Sequence, residues 1–350
     1  MITISLEGDT ETRGLEEGRY IKDILEKIIW GSALKQIDQT DGRMLSKRVG
    51  RAYGESLESE LRRINALSRG AVIEPEELFN IFSMELGEVF RLAPPATALL
   101  MGLSYKRSKN GFPTLCVNLD APFYLHPFMT FKKIYADDEY SRIEVSLITS
   151  PGTLFGINDG GLSAALGLKP FEGNGKGFLP LSSTVSEILR KCKSLDTAEE
   201  LIAKIPRGAS GMIAVADTNE IAVFELTPDS YAVRGEKDGF IVSTQHFLSE
   251  HLMGVDIPHL EVHPETSPPE LFEKRIYDLS ERRFEETGEV IKSKVRWDIG
   301  GITDAISSGK DLLYLTEGYY KTSVSAVMVP GRRSIYLKES RREPFIRHIL

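Results

Sequence analysis

The sequence predicts an α+β fold in which antiparallel sheets are covered by helices, behind an N-terminal helical segment. Three observations carry this. Apolar residues keep the 3–4 spacing of helices from about residue 14 to about residue 90. From Ala96 onward, short apolar runs broken by Gly, Asn and Asp take over, which is the pattern of hairpins. Helical stretches then interrupt the hairpins without the regular alternation of a doubly wound parallel sheet. The boundary divides the chain into a helical segment, 1–95, and a main domain, 96–350.

In the first segment, Ile21, Ile24, Leu25, Ile28 and Ile29 mark one buried helix face. Leu45, Val49, Tyr53, Leu57, Leu61, Ile64 and Leu67 predict a long second helix. Glu74-Pro75-Glu76-Glu77 is an acidic helix start, and Pro94-Pro95 closes the helical region. The runs 97–105 and 112–119, on either side of Lys109-Asn110-Gly111, predict a hairpin. Strands are expected at 143–149, 153–157 and 162–166, the last two joined by the turn Asn158-Asp159-Gly160-Gly161. Residues 182–204 read as a helix capped by Ser182 or Ser183. The runs 212–216 and 221–226 form another hairpin, and 240–243 a short strand. Helices are expected at 267–285 and 298–308. Strands at 323–329 and 333–337 close the chain.

Composition bounds the function. The 350 residues carry 43 Lys plus Arg against 51 Asp plus Glu, a formal charge of −8. That balance argues against nucleic acid as the main partner, since phosphate binding needs a basic footprint. The N-terminus lacks the basic start and apolar stretch of a signal peptide. No apolar run is long enough to span a membrane. The only cysteines, Cys116 and Cys192, exclude a disulfide framework and fit a reducing cytoplasm.

Several constellations bear chemistry. Asn118-Leu119-Asp120 ends a strand and either makes a turn or holds a carboxylate ready for an amine. His246, His251, His259 and His263 cluster in sequence, but their irregular spacing favours a loop over a metal site. Gly173-Asn174-Gly175-Lys176-Gly177 lacks the ending of a phosphate loop and reads as a surface loop. Cys116, in an apolar run, is expected to be buried and inert. Cys192, between Lys191 and Lys193, is expected at the solvated surface with a lowered pKa. Trp30 and Trp297 read as core.

The order of these pieces resembles the acyl-coenzyme A:6-aminopenicillanic acid acyltransferase family, related to the choloylglycine hydrolases; both are N-terminal-nucleophile (Ntn) hydrolases. The resemblance rests on Asn118-Leu119-Asp120, on the turn from Gly156 to Leu162, on Thr244-Gln245-His246-Phe247, on Arg275, and on Ser323-Val324-Ser325-Ala326-Val327. It implies a four-layer αββα sandwich and a precursor that cuts itself after the helical segment. The cut frees a Cys whose own α-amine serves as base, and the family cleaves or transfers acyl groups at linear amide C–N bonds. It also implies no metal and no organic cofactor.

The match departs from the family where the chemistry lies. Counting back from Asn118 to the nucleophile reaches Met101, Gly102 or Leu103. Ser104 is the nearest hydroxyl, and Thr97 lies several residues too early. Val117 replaces an Arg of the bile-salt hydrolase pattern, and Gln245 replaces an oxyanion-donating Asn with one methylene more. A second Asn falls near Leu168 or Lys169. The sequence therefore predicts an Ntn-fold homologue without a Cys nucleophile, catalytically silent or altered. Such a protein binds an amine-, amino-acid- or peptide-like ligand through Asn118, Asp120 and Arg275. The alternative is an amidohydrolase or acyltransferase with Ser104 as N-terminal nucleophile, served by Asp120, Gln245 and Arg275. Partners are a small amide, amine or acyl ligand, with no nucleic acid and no membrane. The edge strands and apolar helical segment allow a homodimer.

Overall fold

A computed structural model describes residues 1–30, 39–86, 94–170, 177–256, 276–308 and 312–350. The chain opens with a strand, β1 (Ile2–Gly8), whose alternation buries Ile4 and Leu6 and exposes Thr3 and Ser5. This strand corrects the expectation of a wholly helical segment over 1–95; Ile2-Thr3-Ile4-Ser5-Leu6 carries the period of two that forms it. Helices α1 (Thr10–Trp30), α2 (Gln39–Ser56), α3 (Glu58–Ala71) and α4 (Pro75–Phe82) follow. The long helix expected over 45–67 is two. Leu57 leaves the helical region at φ −136°, ψ 56°. Its N–H still donates to Tyr53 O and its carbonyl still accepts from Leu61 N, so the apolar spacing runs through the break. Pro75 opens α4 as expected.

The hairpin after Pro95 is β2 (Thr97–Leu103) and β3 (Thr114–Pro122). Asn110-Gly111 lies in its connection, with Gly111 at φ +86°. A 3₁₀ turn, Phe123–Phe128, leads into β4 (Met129–Ala136), which sequence reading missed. Next come β5 (Arg142–Leu147), β6 (Phe155–Asn158) and β7 (Ser163–Leu168). The expected helix over 182–204 is α5 (Leu181–Lys191) and α6 (Leu195–Lys204). Ser194 caps α6 with a capping box through Thr197. Ser182 and Ser183 lie inside the first turn of α5, which Pro180 precedes.

Strands β8 (Gly211–Ala216), β9 (Ile221–Leu226), β10 (Tyr231–Gly235) and β11 (Phe240–Ser243) precede the helices α7 (Glu250–Met253), α8 (Ile276–Lys292) and α9 (Ile299–Ser307). The chain ends with β12 (Tyr320–Val329), β13 (Ser334–Lys338) and β14 (Ile346–Ile349). Of the helix expected over 267–285, residues 267–275 lie outside the described residues.

The strands form two sheets. One orders β1-β4-β5-β6-β7-β8-β9-β10 and the other β11-β2-β3-β12-β13-β14. All pairs are antiparallel except β1 with β4. The main core lies between the sheets, where Ala98, Leu100, Val117 and Leu119 face Ala165, Met212, Ala214 and Val223, and it extends beneath α5. On its other face the six-stranded sheet packs against α8 and α9 through Leu99, Met101, Cys116, Ile291 and Ile302. This is a sandwich of two sheets with helices outside.

The N-terminal segment is woven into the sandwich. β1 extends the eight-stranded sheet, and α1 and α3 lie over that sheet. These two helices approach closely: a Cβ on Gly70 would stand 2.1 Å from Leu15 O, and one on Gly18 2.2 Å from Leu67 O. Between the helices and the sheet lies a buried ion network. Glu17 pairs with Arg63 and Lys132, Glu60 with Arg63 and Arg190, and Glu144 with Arg142 and Lys132.

Candidate active site

Asp120 organises one end of the six-stranded sheet. It lies near the end of β3, fully buried, on the face toward α8. Its ladder partners are Thr97 on β2 and Thr322 on β12. Thr322 Oγ1 donates to Asp120 Oδ1 at 2.6 Å, and Arg283 Nη1, from α8, donates to Oδ2 at 2.5 Å. Arg283 Nη2 also holds Leu313 O at 3.1 Å, while its Nε is buried without a partner. Burying a carboxylate requires this kind of paired, hydrogen-bonded shell. Across the ladder, the Thr97 hydroxyl is buried and has no hydrogen-bond partner among the described residues. A buried hydroxyl without a partner is costly and points to a missing group.

The chain leading into Thr97 is tied down as well. Tyr320 Oη donates to Pro94 O at 2.9 Å, three residues before Thr97. Burial, with Tyr319 and Tyr124 close by, pushes the Tyr320 phenol well above its ordinary pKa, so it remains a donor.

Gln245 belongs to the same end. β11 runs antiparallel to β2 with Ser243 opposite Leu100, so the residues after Ser243 continue toward Thr97. Ser280 on α8 fixes this segment: its Oγ accepts the Gln245 N–H at 2.7 Å and lies 2.7 Å from His246 Nδ1. Thr244 Oγ1 donates to Ser280 O at 3.0 Å. Ser280 and Arg283 are three residues apart, on one helix face. One turn of α8 therefore holds both Asp120 and the Gln245 segment.

Ser104 lies elsewhere. Leu103 pairs with Thr114 at one end of the hairpin and Thr97 with Asp120 at the other. At about 3.3 Å per residue the seven positions from Thr97 to Ser104 span about 23 Å. Ser104 is buried there, its N–H donating to Gly239 O at 2.9 Å and its carbonyl accepting from Arg107 and Ser108. The structure brings Asp120 and Gln245 toward Thr97 and does not bring Ser104 to them. Asn118 spends both amide hydrogens on Ile306 O and Leu313 O, at 2.8 and 2.6 Å, clamping the sheet to the α9 region. Arg275 lies outside the described residues.

The remaining constellations are placed as follows. Cys116 is buried, and burial pushes its thiol far up. The expectation for Cys192 is corrected. It is 2% exposed, its Sγ donates to Thr197 O at 3.4 Å, and burial pushes the thiol up to about 11. Its neighbour Lys191 pairs with Glu187. Among the four clustered histidines, His246 is buried, and His251 Nε2 lies 2.7 Å from Ser230 Oγ. His259, His263 and residues 173–176 of the glycine loop lie outside the described residues. Among the described residues, no three His, Cys, Asp or Glu side chains gather as a metal site would need, and no helix is long and apolar enough to cross a membrane. Trp297 is buried, with Nε1 donating to Ile291 O.

Sequence reading missed Arg283, Ser280 and Thr322, and set Thr97 aside. Thr97 carried a usable signal: it is the first strand residue after Pro94-Pro95. The connection from Ser104 to Pro113 lengthens the spacing to Asp120. No local pattern marked Arg283, whose partner lies 163 residues away.

The similarities to known proteins agree with this architecture. The model of the family described as acyl-coenzyme A:6-aminopenicillanic acid acyl-transferase matches residues 123–313, more than half of the chain. A mutant of the conjugated bile acid hydrolase from Clostridium perfringens superposes with a TM-score of 0.50 at 13% identity, covering 73% of this chain and 92% of its own. Penicillin V acylase from Agrobacterium tumefaciens gives 0.46 at 13% identity, over 70% and 84% of the two chains. A Caenorhabditis elegans N-acylethanolamine-hydrolyzing acid amidase orthologue gives 0.44 at 16%, over 67% and 93%. No curated protein matches the sequence. With its two stacked sheets, its outer helices and a family match over more than half of its length, this chain belongs to the acyl-coenzyme A:6-aminopenicillanic acid acyltransferase family and has the Ntn-hydrolase fold.

Proposed function

We propose that the protein is an Ntn-type amidohydrolase or acyltransferase for linear amide C–N bonds, and that its nucleophile is Thr97 rather than Ser104. The observation that carries this reading is the place of the Thr97 hydroxyl directly across the ladder from Asp120; it and the Ser104 hydroxyl are both buried without a partner among the described residues, and only Thr97 lies at the Asp120 end.

The chemistry starts with self-cleavage. Thr97 Oγ attacks the Ala96 carbonyl, the Ala96–Thr97 C–N bond breaks, and an ester to Oγ replaces it. Water then hydrolyses the ester, giving fragments 1–96 and 97–350. The freed α-amine titrates near neutrality and lies on the nucleophile it serves. In turnover the Thr97 Oγ–H proton passes to this amine, Oγ attacks the substrate carbonyl, and the departing amine takes the proton. Water or a second amine releases the acyl group. Asp120, steadied by Arg283 and Thr322, orients the α-ammonium, and the Gln245 segment offers the oxyanion donor. The reading needs neither metal nor organic cofactor.

Intact-mass measurement of the purified chain tests it. Two fragments divided between Ala96 and Thr97 are expected, with Thr97→Ala remaining whole. A wild-type protein that stays one chain overturns the reading. It would leave Asp120 and Arg283 to a silent homologue that binds amine-, amino-acid- or peptide-like ligands.

A further inference from the structure

A second hydroxyl–base pair lies one residue beyond Thr322. The β12–β3 register passes from Thr322 opposite Asp120 to Val324 opposite Leu119, so Ser323 is the extra residue of a β-bulge. Bulges turn a side chain out of the strand's alternation and recur beside active sites. Here the turned side chain meets a base: Ser323 Oγ lies 2.5 Å from Nε2 of His126, on the 3₁₀ turn after β3. Lys321 O is also within reach of the Ser323 hydroxyl at 3.1 Å, and Ala121 O lies 3.4 Å from His126 Nε2. The Lys321 carbonyl alone would satisfy the hydroxyl, so the imidazole is not required to bury it.

We infer that Ser323 and His126 form a second nucleophilic dyad, which reacts with small activated acyl or phosphonyl compounds independently of Thr97. In the tautomer with the proton on Nδ1, His126 Nε2 accepts the Oγ–H proton as Oγ attacks the carbonyl carbon of an aryl ester. The ester C–O bond breaks, the phenolate leaves with that proton, and acyl-Ser323 remains until water hydrolyses it by the reverse route. Burial foremost, with Lys321 and the N-terminal ammonium, outweighs the opposing hydrogen bond to Ala121 O and holds His126 below the ordinary histidine pKa, which keeps the imidazole neutral. His126 is half-buried on a turn that also carries the exposed Phe123, 66%, and Tyr124, 43%, and Ser323 lies just beneath it at 6% exposure.

The test is labelling of the full chain with an alkyl fluorophosphonate, in which Ser323 Oγ displaces fluoride, read by peptide mass spectrometry. One adduct on Ser323 is expected in wild type and equally in Thr97→Ala, so the result does not depend on self-cleavage. Ser323→Ala should lose the adduct, and His126→Gln should slow labelling about 100-fold. Circular dichroism of each variant shows whether it is folded. If His126→Gln unfolds, Ser323→Cys provides the second arm, and its thiol should react with iodoacetamide faster than free cysteine at pH 7. An unlabelled Ser323 in folded wild type, or a folded His126→Gln labelled at the wild-type rate, overturns the proposal. A Ser323→Cys thiol no faster than free cysteine also overturns it.

Discussion

Thr97 and Asp120 face each other across the β2–β3 ladder, and the hydroxyl of the first has no partner while the carboxylate of the second has two. The asymmetry sets up the first prediction. Thr97→Ser and Thr97→Cys keep a nucleophile at the ladder position and should still yield fragments 1–96 and 97–350. Thr97→Ala should remain whole, and Ser104→Ala should cleave like wild type. Electrophoresis under denaturing conditions separates these outcomes, and loss of cleavage in Ser104→Ala would return the nucleophile to the other end of the strand.

The Asp120–Arg283 pair is buried on both sides. Arg283→Leu leaves the carboxylate with Thr322 alone and should destabilise the fold by about 3–5 kcal/mol. Adding Asp120→Asn removes the stranded charge, so the double variant should regain part of that loss. Urea unfolding of the two single variants and the double variant measures the coupling, and simple additivity would show that the pair is not linked.

Stability should fall in acid through the ion network beneath α1 and α3. Burial by itself would push the Glu144 carboxyl up, but Arg142 and Lys132, with hydrogen bonds from Arg142 and Thr153, bring it down to about 2. A depressed folded-state pKa stabilises above the unfolded value, near 4.5, and that contribution is lost as pH falls toward 2. The shift corresponds to something on the order of 3 kcal/mol. Urea midpoints measured from pH 7 down to pH 2.5 should decline across this window. Glu144→Gln should start lower at pH 7 and show a flatter decline.

Both thiols should be silent in the native protein. Burial raises each of them, and the thiolate is the reactive form. A chromogenic disulfide reagent should titrate no thiol at pH 8 in the folded chain and two in urea. Rapid reaction of Cys192 in the folded state would contradict its packing against the Thr197 carbonyl.

Much of the fold was legible because hydrophobic periodicity is local. The spacing of Ile21 to Ile29, the Pro75 helix start, and the runs about 97–105, 112–119, 212–216 and 221–226 all gave elements of the right type. The misses have physical causes. The apolar spacing from Leu45 to Leu67 runs through the break at Leu57, because the helix-type hydrogen bonds bridge it. Cys192 was read from its charged neighbours, yet the end of α5 turns its thiol inward. β4, β10 and β14 do not show a clear alternation of their own and owe their form to the neighbouring strand.

The sequence by itself determined the class of fold, the point where helices give way to sheets, and Asp120 as the carboxylate at a strand end. Only the tertiary structure decided which hydroxyl faces that carboxylate. Register depends on the length of the connection between β2 and β3. The structure also chose the partner cation, because a turn of α8 far along the chain brings Arg283 onto Asp120 and Ser280 onto the Gln245 segment. Side chains distant in sequence meet only when two sheets and a helix pack, and a string of residues does not record that packing.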